Sequence, residues 1–198
     1  MSNFREHTPK RRNIIKKVNS HGEHRKDLKT DYKDRCGYCN DLDNWRSIWF
    51  EIDHFIPQKR NKKQFLTIKT ITDYTNLVYS CRSCNNAKRN KWPSNDEKVP
   101  NINNEGFIDP CEDEYKDQFN RLKNGRIKPN TDLGEWMYNA MKLYNPQHEI
   151  LWNIEQVHIL IIEIRDLVAK SPDDIDLMKR LIILYNTYDD YIQKLFKH

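Results

Sequence analysis

The clearest periodicity lies in the last third of the chain. Over residues 147–169, Ile150, Ile154, Val157, Ile161, Ile164 and Val168 recur at intervals of four, three, four, three and four, the spacing that lines one face of an α-helix. A second stripe is Met178, Leu181, Tyr185, Tyr188, Ile192 and Leu195. It follows Ser171-Pro172-Asp173-Asp174, which reads as an N-cap with proline at the first helical position and acid in the first turn. The short link near residues 170–172 predicts an antiparallel helical hairpin. Leu151, Ile159, Leu160, Ile162, Ile182 and Ile183 fall off both stripes. The hairpin therefore either packs on the rest of the chain or offers apolar surface to a second one. A shorter helix over 134–144 is expected to bury Trp136, Met137, Ala140 and Tyr144.

Upstream the pattern is shorter in range. A helix over 23–35 places Leu28 and Tyr32 on one face and leads into Cys36-Gly37-Tyr38-Cys39. Residues 45–52 are aromatic and β-branched and predict a strand, and an extended piece at 54–56 stops at Pro57. Residues 58–75 suit a loop and a short helix. Asn76-Leu77-Val78-Tyr79 runs into Cys81-Arg82-Ser83-Cys84, after which 85–90 can form a helix ended by Trp92-Pro93. Four regions result: a basic, flexible arm at 1–22, a compact domain at 23–93, an irregular connection at 94–133 and a helical region at 134–198. The fold class is α+β.

Composition narrows the class. Of 198 residues, 37% are apolar, low for a globular protein, yet the aromatic content of 11% speaks against disorder. The longest dense apolar stretch, Val157 to Ile164, includes His158 and Glu163 and is far short of the ~20 residues of a membrane span. The N-terminus lacks the apolar core of a secretory signal, so a soluble, cytoplasmic protein is the expectation. The net charge of +5 hides an asymmetry: residues 1–99 hold 22 basic and 12 acidic side chains, residues 100–198 hold 12 and 17. Only the first half should be drawn to a polyanion. The cluster Lys10, Arg11, Arg12, Lys16 and Lys17 either tracks phosphates or keeps the arm solvated.

Four of the five cysteines form two Cys-x-x-Cys pairs, Cys36 with Cys39 and Cys81 with Cys84, with 41 residues between them. In a chain with no export signal such thiols stay reduced and more often bind metal than pair as disulfides. Four thiolates at this spacing suit a tetrahedral structural Zn2+ site, a staple for a segment with little core of its own. A redox role is the weaker reading, because no strand–helix setting accompanies the pairs. Cys111 fits neither pair and reads as a small core residue. Between the pairs lie Glu51-Ile52-Asp53-His54 and Asn76, and Asn85 follows Cys84 directly.

Cys-x-x-Cys, Asp-His, Asn-Leu and Cys-x-x-Cys-Asn-x-x-Lys, over roughly residues 24–93, strongly resemble the HNH endonucleases, nucleases of the ββα-metal fold with a zinc-stapled finger. The resemblance implies a metal-dependent endonuclease acting on nucleic acid, DNA in the first instance. It implies Asp53 as a ligand of a catalytic Mg2+ or Mn2+, His54 as general base, and Asn76 as the residue that holds the loop and orients His54. Asn85, in place of the family's last histidine, is implied as the second metal ligand. These types suit the chemistry: a neutral imidazole takes a proton from water near pH 7, and carboxylate and amide oxygens are hard ligands. Glu51 is either an acid behind these ligands, an extra ligand or an exposed strand residue.

Arg82, Lys88, Arg89 and Lys91 cluster on or beside the expected short helix, and Lys59, Arg60, Lys62 and Lys63 follow the Asp-His pair. They are expected to grip phosphates without reading sequence. Trp45, Trp49 and Trp92 either stack on bases or pack in the core, the core being the plainer reading. Further on, Phe107-Ile108-Asp109-Pro110-Cys111, Gly125-Arg126-Ile127-Lys128-Pro129, Gly134-Glu135-Trp136-Met137 and Leu143-Tyr144-Asn145 resemble the tail of stand-alone bacterial HNH proteins. Some of these act in anti-phage defence beside an ABC-type ATPase, as in the Septu arrangement. That likeness implies a protein partner for the C-terminal helices, either such an ATPase or a second copy in a homodimer. The competing class is a non-catalytic zinc-finger nucleic-acid-binding or adaptor protein. It predicts a missing base or metal ligand, whereas Asp53, His54, Asn76 and Asn85 are all present.

Overall fold

A strand forms only where an extended segment meets a partner, and this displaces the strand expected over 45–52. In the computed structural model, which describes residues 2–46 and 48–197, the chain makes a turn of 3-10 helix at Asp43–Trp45 and pairs only from Glu51 onward. Ser47, inside the expected strand, lies outside the described residues, as do Met1 and His198. Ile48 and Trp49 precede the paired segment and are exposed, so Trp49 is not a core residue.

The chain divides into two compact units, the first comprising residues up to Lys123 together with Ile127–Tyr144. In chain order it contains β1 (Ser2–Asn3), a 3-10 turn at His21–His24, α1 (Arg25–Asp31), β2 (Glu51–His54), and the two-residue strands β3 (Lys59–Arg60) and β4 (Lys63–Gln64). A 3-10 turn at Tyr74–Asn76 then leads to β5 (Leu77–Ser80) and α2 (Arg82–Lys88). After these come β6 (Asn101–Ile102), β7 (Glu105–Gly106), α3 (Glu114–Asp117), β8 (Phe119–Arg121), β9 (Ile127–Pro129) and α4 (Asp132–Ala140). The region expected to be irregular thus holds a small ribbon, β6 with β7, and most of an antiparallel sheet ordered β1-β8-β9. Its strands are two or three residues long, too short for periodicity to show.

β2 and β5 form the antiparallel pair at the centre, with Glu51 opposite Ser80 and His54 opposite Leu77. β5 is buried along its whole length, and α2 follows it after a single residue, which closes a ββα unit. Leu28 and Tyr32 on and just after α1, Tyr38, Phe50 and Val78 belong to one core cluster. Trp92 stacks edge-on against Phe55 with ring centres 5.5 Å apart. Gly37 is required where the first cysteine turn crosses this core. A Cβ there would lie 2.7 Å from the Tyr32 ring and 2.8 Å from Val78.

The N-terminal arm is not flexible as expected. β1 pairs with β8, Phe4 and Arg5 are buried, and Arg11 binds Asp109 bidentately at 2.8 and 3.0 Å. Arg12 pairs with Asp31, and Lys16 donates to the Glu23 carbonyl at 2.9 Å. Three of the five basic residues, Arg11, Arg12 and Lys16, are held by groups of the same unit, and periodicity cannot foresee this because the Arg11 partner lies about a hundred residues away.

The second unit contains α5 (Pro146–Lys170) and α6 (Ile175–Lys197), packed as the expected hairpin. Asn145 caps α5 by accepting from the Gln147 amide, with Pro146 opening the helix. Asp174, rather than Ser171, caps α6, its carboxylate accepting from the amides of Asp176 and Leu177. The helix starts about one turn later than expected. Leu181, Tyr188, Ile192 and Leu195 of the expected stripe are half-buried together with Leu177, Leu184 and Tyr191, while Met178 and Tyr185 of that stripe are exposed. In the first unit Tyr144 is likewise exposed, and Met141 and Leu143 are buried instead. No helix among the described residues is long and apolar enough to cross a membrane.

Candidate active site

The four cysteines of the two pairs converge. Their sulfurs lie within 4.8 Å of one another and all four residues are buried. Cys39 Sγ is 3.8 Å from Cys81 Sγ, the edge of a tetrahedron of sulfurs at Zn–S bond length, about 3.8 Å. Backbone amides of Cys81 and Cys84 donate to the sulfurs of Cys36 and Cys81 at 3.3 and 3.4 Å. The donor set therefore fits a structural zinc ion. Three guanidinium groups brace the first cysteine turn. Arg5 donates to the Gly37 carbonyl at 2.7 Å and Arg121 to the Cys39 carbonyl at 2.9 Å, and Arg46 binds Asp41 at 2.6 Å. Cations suit a tetrathiolate zinc centre, which carries excess negative charge. None of these arginines was visible as part of a site in sequence, since each reaches it from a separate segment.

Cys81 also caps α2 through its sulfur, so the second pair sets where that helix starts and which face it turns to β2. Glu51 and Asp53 share one face of β2, and Asn85 and Lys88 lie one turn apart on α2. They meet as two rungs. Asn85 Nδ2 donates to Glu51 Oε2 at 2.6 Å, and Lys88 Nζ lies 3.0 Å from Asp53 Oδ2. Tyr38 Oη also donates to Asp53 Oδ2, at 2.6 Å. Burial and the adjacent Asp53 charge hold the Tyr38 hydroxyl well above its usual titration range, so it stays a donor. Both bonds to Asp53 fall on Oδ2 and leave Oδ1. Asn85 presents its amide nitrogen to Glu51 and so leaves its oxygen. Two hard oxygens, of the kind that suit a hard divalent cation, are thus left by these hydrogen bonds.

His54 ends β2 and is buried. Its Nε2 is 2.7 Å from the Ile71 carbonyl oxygen, which only accepts, so Nε2 carries the proton and Nδ1 is the basic nitrogen. Gln58 Nε2 donates to Nδ1 at 3.1 Å. Asn76 is 1% exposed and grips the loop after β2 from both sides. Its Oδ1 accepts from the Ile56 amide at 2.9 Å and its Nδ2 donates to the Ile56 carbonyl at 3.1 Å. Asn76 thus holds the loop, while the group that orients the His54 ring is a main-chain carbonyl. A carbonyl leaves no mark in sequence, and Ile71 could not have been found there. Gln58 and Tyr38 were within reach, four residues after His54 and inside the first cysteine turn.

Among the predicted phosphate contacts, Arg82 and Arg89 are exposed, and Arg82 Nε sits 3.7 Å from Glu51. Lys91 is exposed but donates to the Ala87 and Ala140 carbonyls. Partial burial and the neighbouring Lys142 and Arg89 charges lower its pKa. Lys88 is corrected. It is fully buried, donates to the His54 carbonyl at 2.9 Å and pairs with Asp53, because the turn spacing of α2 aims it at β2. Trp92 is in the core and Trp45 half-buried. Cys111 packs beside the core, its sulfur 3.3 Å from Tyr32 Oη.

A ββα unit beside four cysteines that fit zinc, with a carboxylate, an amide and an oriented imidazole together, has the donor set of a metal-dependent nuclease. Residues 36–91 match the family model described as HNH endonuclease, and this segment is an HNH endonuclease domain. The match supports a nuclease-type function for this segment. No curated protein and no solved structure matches the chain.

Proposed function

We propose that the first unit is a metal-dependent endonuclease that hydrolyses phosphodiester bonds in DNA, with His54 as general base. The observation that carries this reading is the Ile71 carbonyl on His54 Nε2, which leaves Nδ1 unprotonated beside Asp53 in sequence and in the strand. Nδ1 then takes the proton of the attacking water, displacing Gln58, and the Ile71 carbonyl steadies the imidazolium that results. Asp53 and Asn85 would hold the divalent ion through their remaining oxygens. When bound, that ion supplies Lewis-acid stabilisation of the charge growing on phosphate and leaving oxygen. Lys88 and Tyr38 hold the Asp53 carboxylate, Glu51 holds the Asn85 amide, and Asn76 fixes the loop that carries the base. The exposed Arg82 and Arg89, with Lys91, would grip the phosphate backbone.

The test is plasmid cleavage with Mg2+ or Mn2+ by wild type and His54→Ala, zinc-loaded in both. Wild type should nick or cut, and the variant should fall by a hundredfold or more while retaining its melting temperature. Equal cleavage by both refutes the base, and strongest activity with Ni2+ counts against a hard, oxygen-only ligand pair. On the likeness of the 107–145 segments to stand-alone bacterial HNH proteins, we place this activity in anti-phage defence or restriction. The exposed Ile159, Ile162, Ile182 and Ile183 of the hairpin support a protein partner, an ABC-type ATPase or a second copy. Size-exclusion chromatography of the chain alone and with that ATPase separates the two, and an active lone monomer removes the need for either.

A further inference from the structure

A second imidazole stands at the base, and it comes from outside the matched domain. The His21 ring meets the His54 ring edge-on, with centres 4.9 Å apart. The 3-10 turn that carries His21 is built firmly. Ser20 Oγ accepts from the Gly22 amide at 3.1 Å, and the Glu23 carboxylate accepts from the amides of Asn19 and Ser20 at 2.9 and 3.0 Å. His24, buried at the end of the same turn, stacks edge-on against Tyr74 at 5.0 Å. His21 itself is half-buried, and among the described residues its ring nitrogens have no hydrogen-bond partner. A rigidly mounted, partly exposed imidazole set edge-on to His54 is in reach of a ligand that approaches His54.

Burial first, and then the neighbouring His54, Arg25 and His24, lower the His21 pKa, and no acid is among these groups. An anion suits such surroundings, and the anion that reaches His54 is the scissile phosphate. We propose that His21 is a further substrate-contacting residue, its imidazole N–H donating to a non-bridging oxygen of the phosphate attacked beside His54. The proposal rests on the nuclease reading above and extends the working site to the segment that precedes the matched domain. A neutral imidazole suffices for this role, since it always keeps one N–H.

The experiment is steady-state cleavage of a labelled duplex by zinc-loaded full chain with Mg2+ or Mn2+, comparing wild type, His21→Phe and His21→Gln. Phenylalanine keeps the ring against His54 and removes the donor, while glutamine keeps a donor and removes the ring. The expected result is a roughly ten- to hundredfold loss of kcat/KM in His21→Phe, the size of one hydrogen bond to a charged group, at an unchanged melting temperature. His21→Gln should recover at least part of it. His21→Phe within twofold of wild type, or His21→Gln as impaired as His21→Phe, overturns the contact while leaving the nuclease reading standing. A wild type that cuts no nucleic acid overturns both.

Discussion

Lys88 decides between two pictures of the same helix, and Lys88→Met separates them. At 3.0 Å from Asp53 Oδ2 and with no exposed surface, the ammonium contributes about 5–6 kcal/mol of attraction at an effective dielectric constant of ~20. Methionine fills similar volume and avoids the desolvation cost of the cation, which offsets part of that loss. It leaves Asp53 with Tyr38 as its remaining partner and the buried His54 carbonyl without its donor. Removing one member of a buried pair costs about 3–5 kcal/mol, and the net here should fall in that range. For a unit of this size the melting temperature should drop by roughly 6–15 °C. The assay is urea unfolding of the zinc-loaded chain without divalent cation, with Asp53→Leu and the double variant completing a cycle. The double variant should be more stable than Lys88→Met alone, since the stranded carboxylate is gone. A surface lysine gripping phosphate would behave otherwise. Lys88→Met would then cost under about 0.5 kcal/mol and lower the salt dependence of DNA binding by about one counterion. That result would refute the buried pair and restore the phosphate contact.

Three further outcomes follow from the same geometry. Chelating zinc, or Cys81→Ala, should release the metal and unfold the first unit, seen as loss of near-ultraviolet circular dichroism with stoichiometric zinc appearing in a colorimetric assay. Persistence of the folded signal after complete zinc loss would show that the core alone suffices. Glu51→Ala frees the Asn85 amide to turn, so the Mg2+ concentration for half-maximal cleavage should rise about ten- to hundredfold, whereas Glu51→Gln, which still offers an acceptor, should sit closer to wild type. An unchanged metal requirement in both would remove Glu51 from the site. Asn76→Ala deletes two buried bonds to Ile56 and should cost about 2–4 kcal/mol in unfolding free energy, with cleavage falling as the His54 loop loosens. A loss below about 0.5 kcal/mol would mean that the loop is held by other contacts.

What the amino-acid sequence determined alone is what depends on residue type at short spacing. Two Cys-x-x-Cys pairs and the Asp53-His54, Asn76 and Asn85 pattern were legible because ligand chemistry permits few residue types at few intervals. The apolar stripe of α5 was legible because a long helix repeats its period often enough to place six apolar residues on one face. Four of the six residues in the α6 stripe, Leu181, Tyr188, Ile192 and Leu195, do face inward, and Leu177, Leu184 and Tyr191 beside them show that the contact face is broader than a single stripe. Tertiary structure alone decided the rest. The Ile71 carbonyl that orients His54, the Asp109 that holds Arg11, and the approach of the His21 ring to the His54 ring all join segments distant along the chain. Such contacts arise from how the chain closes on itself. The side chains involved are of ordinary type, so neither their spacing nor their chemistry announces them. Lys88 shows the same reason from the other direction: lysine reads as surface charge, and only packing α2 against β2 turned it into the buried partner of Asp53.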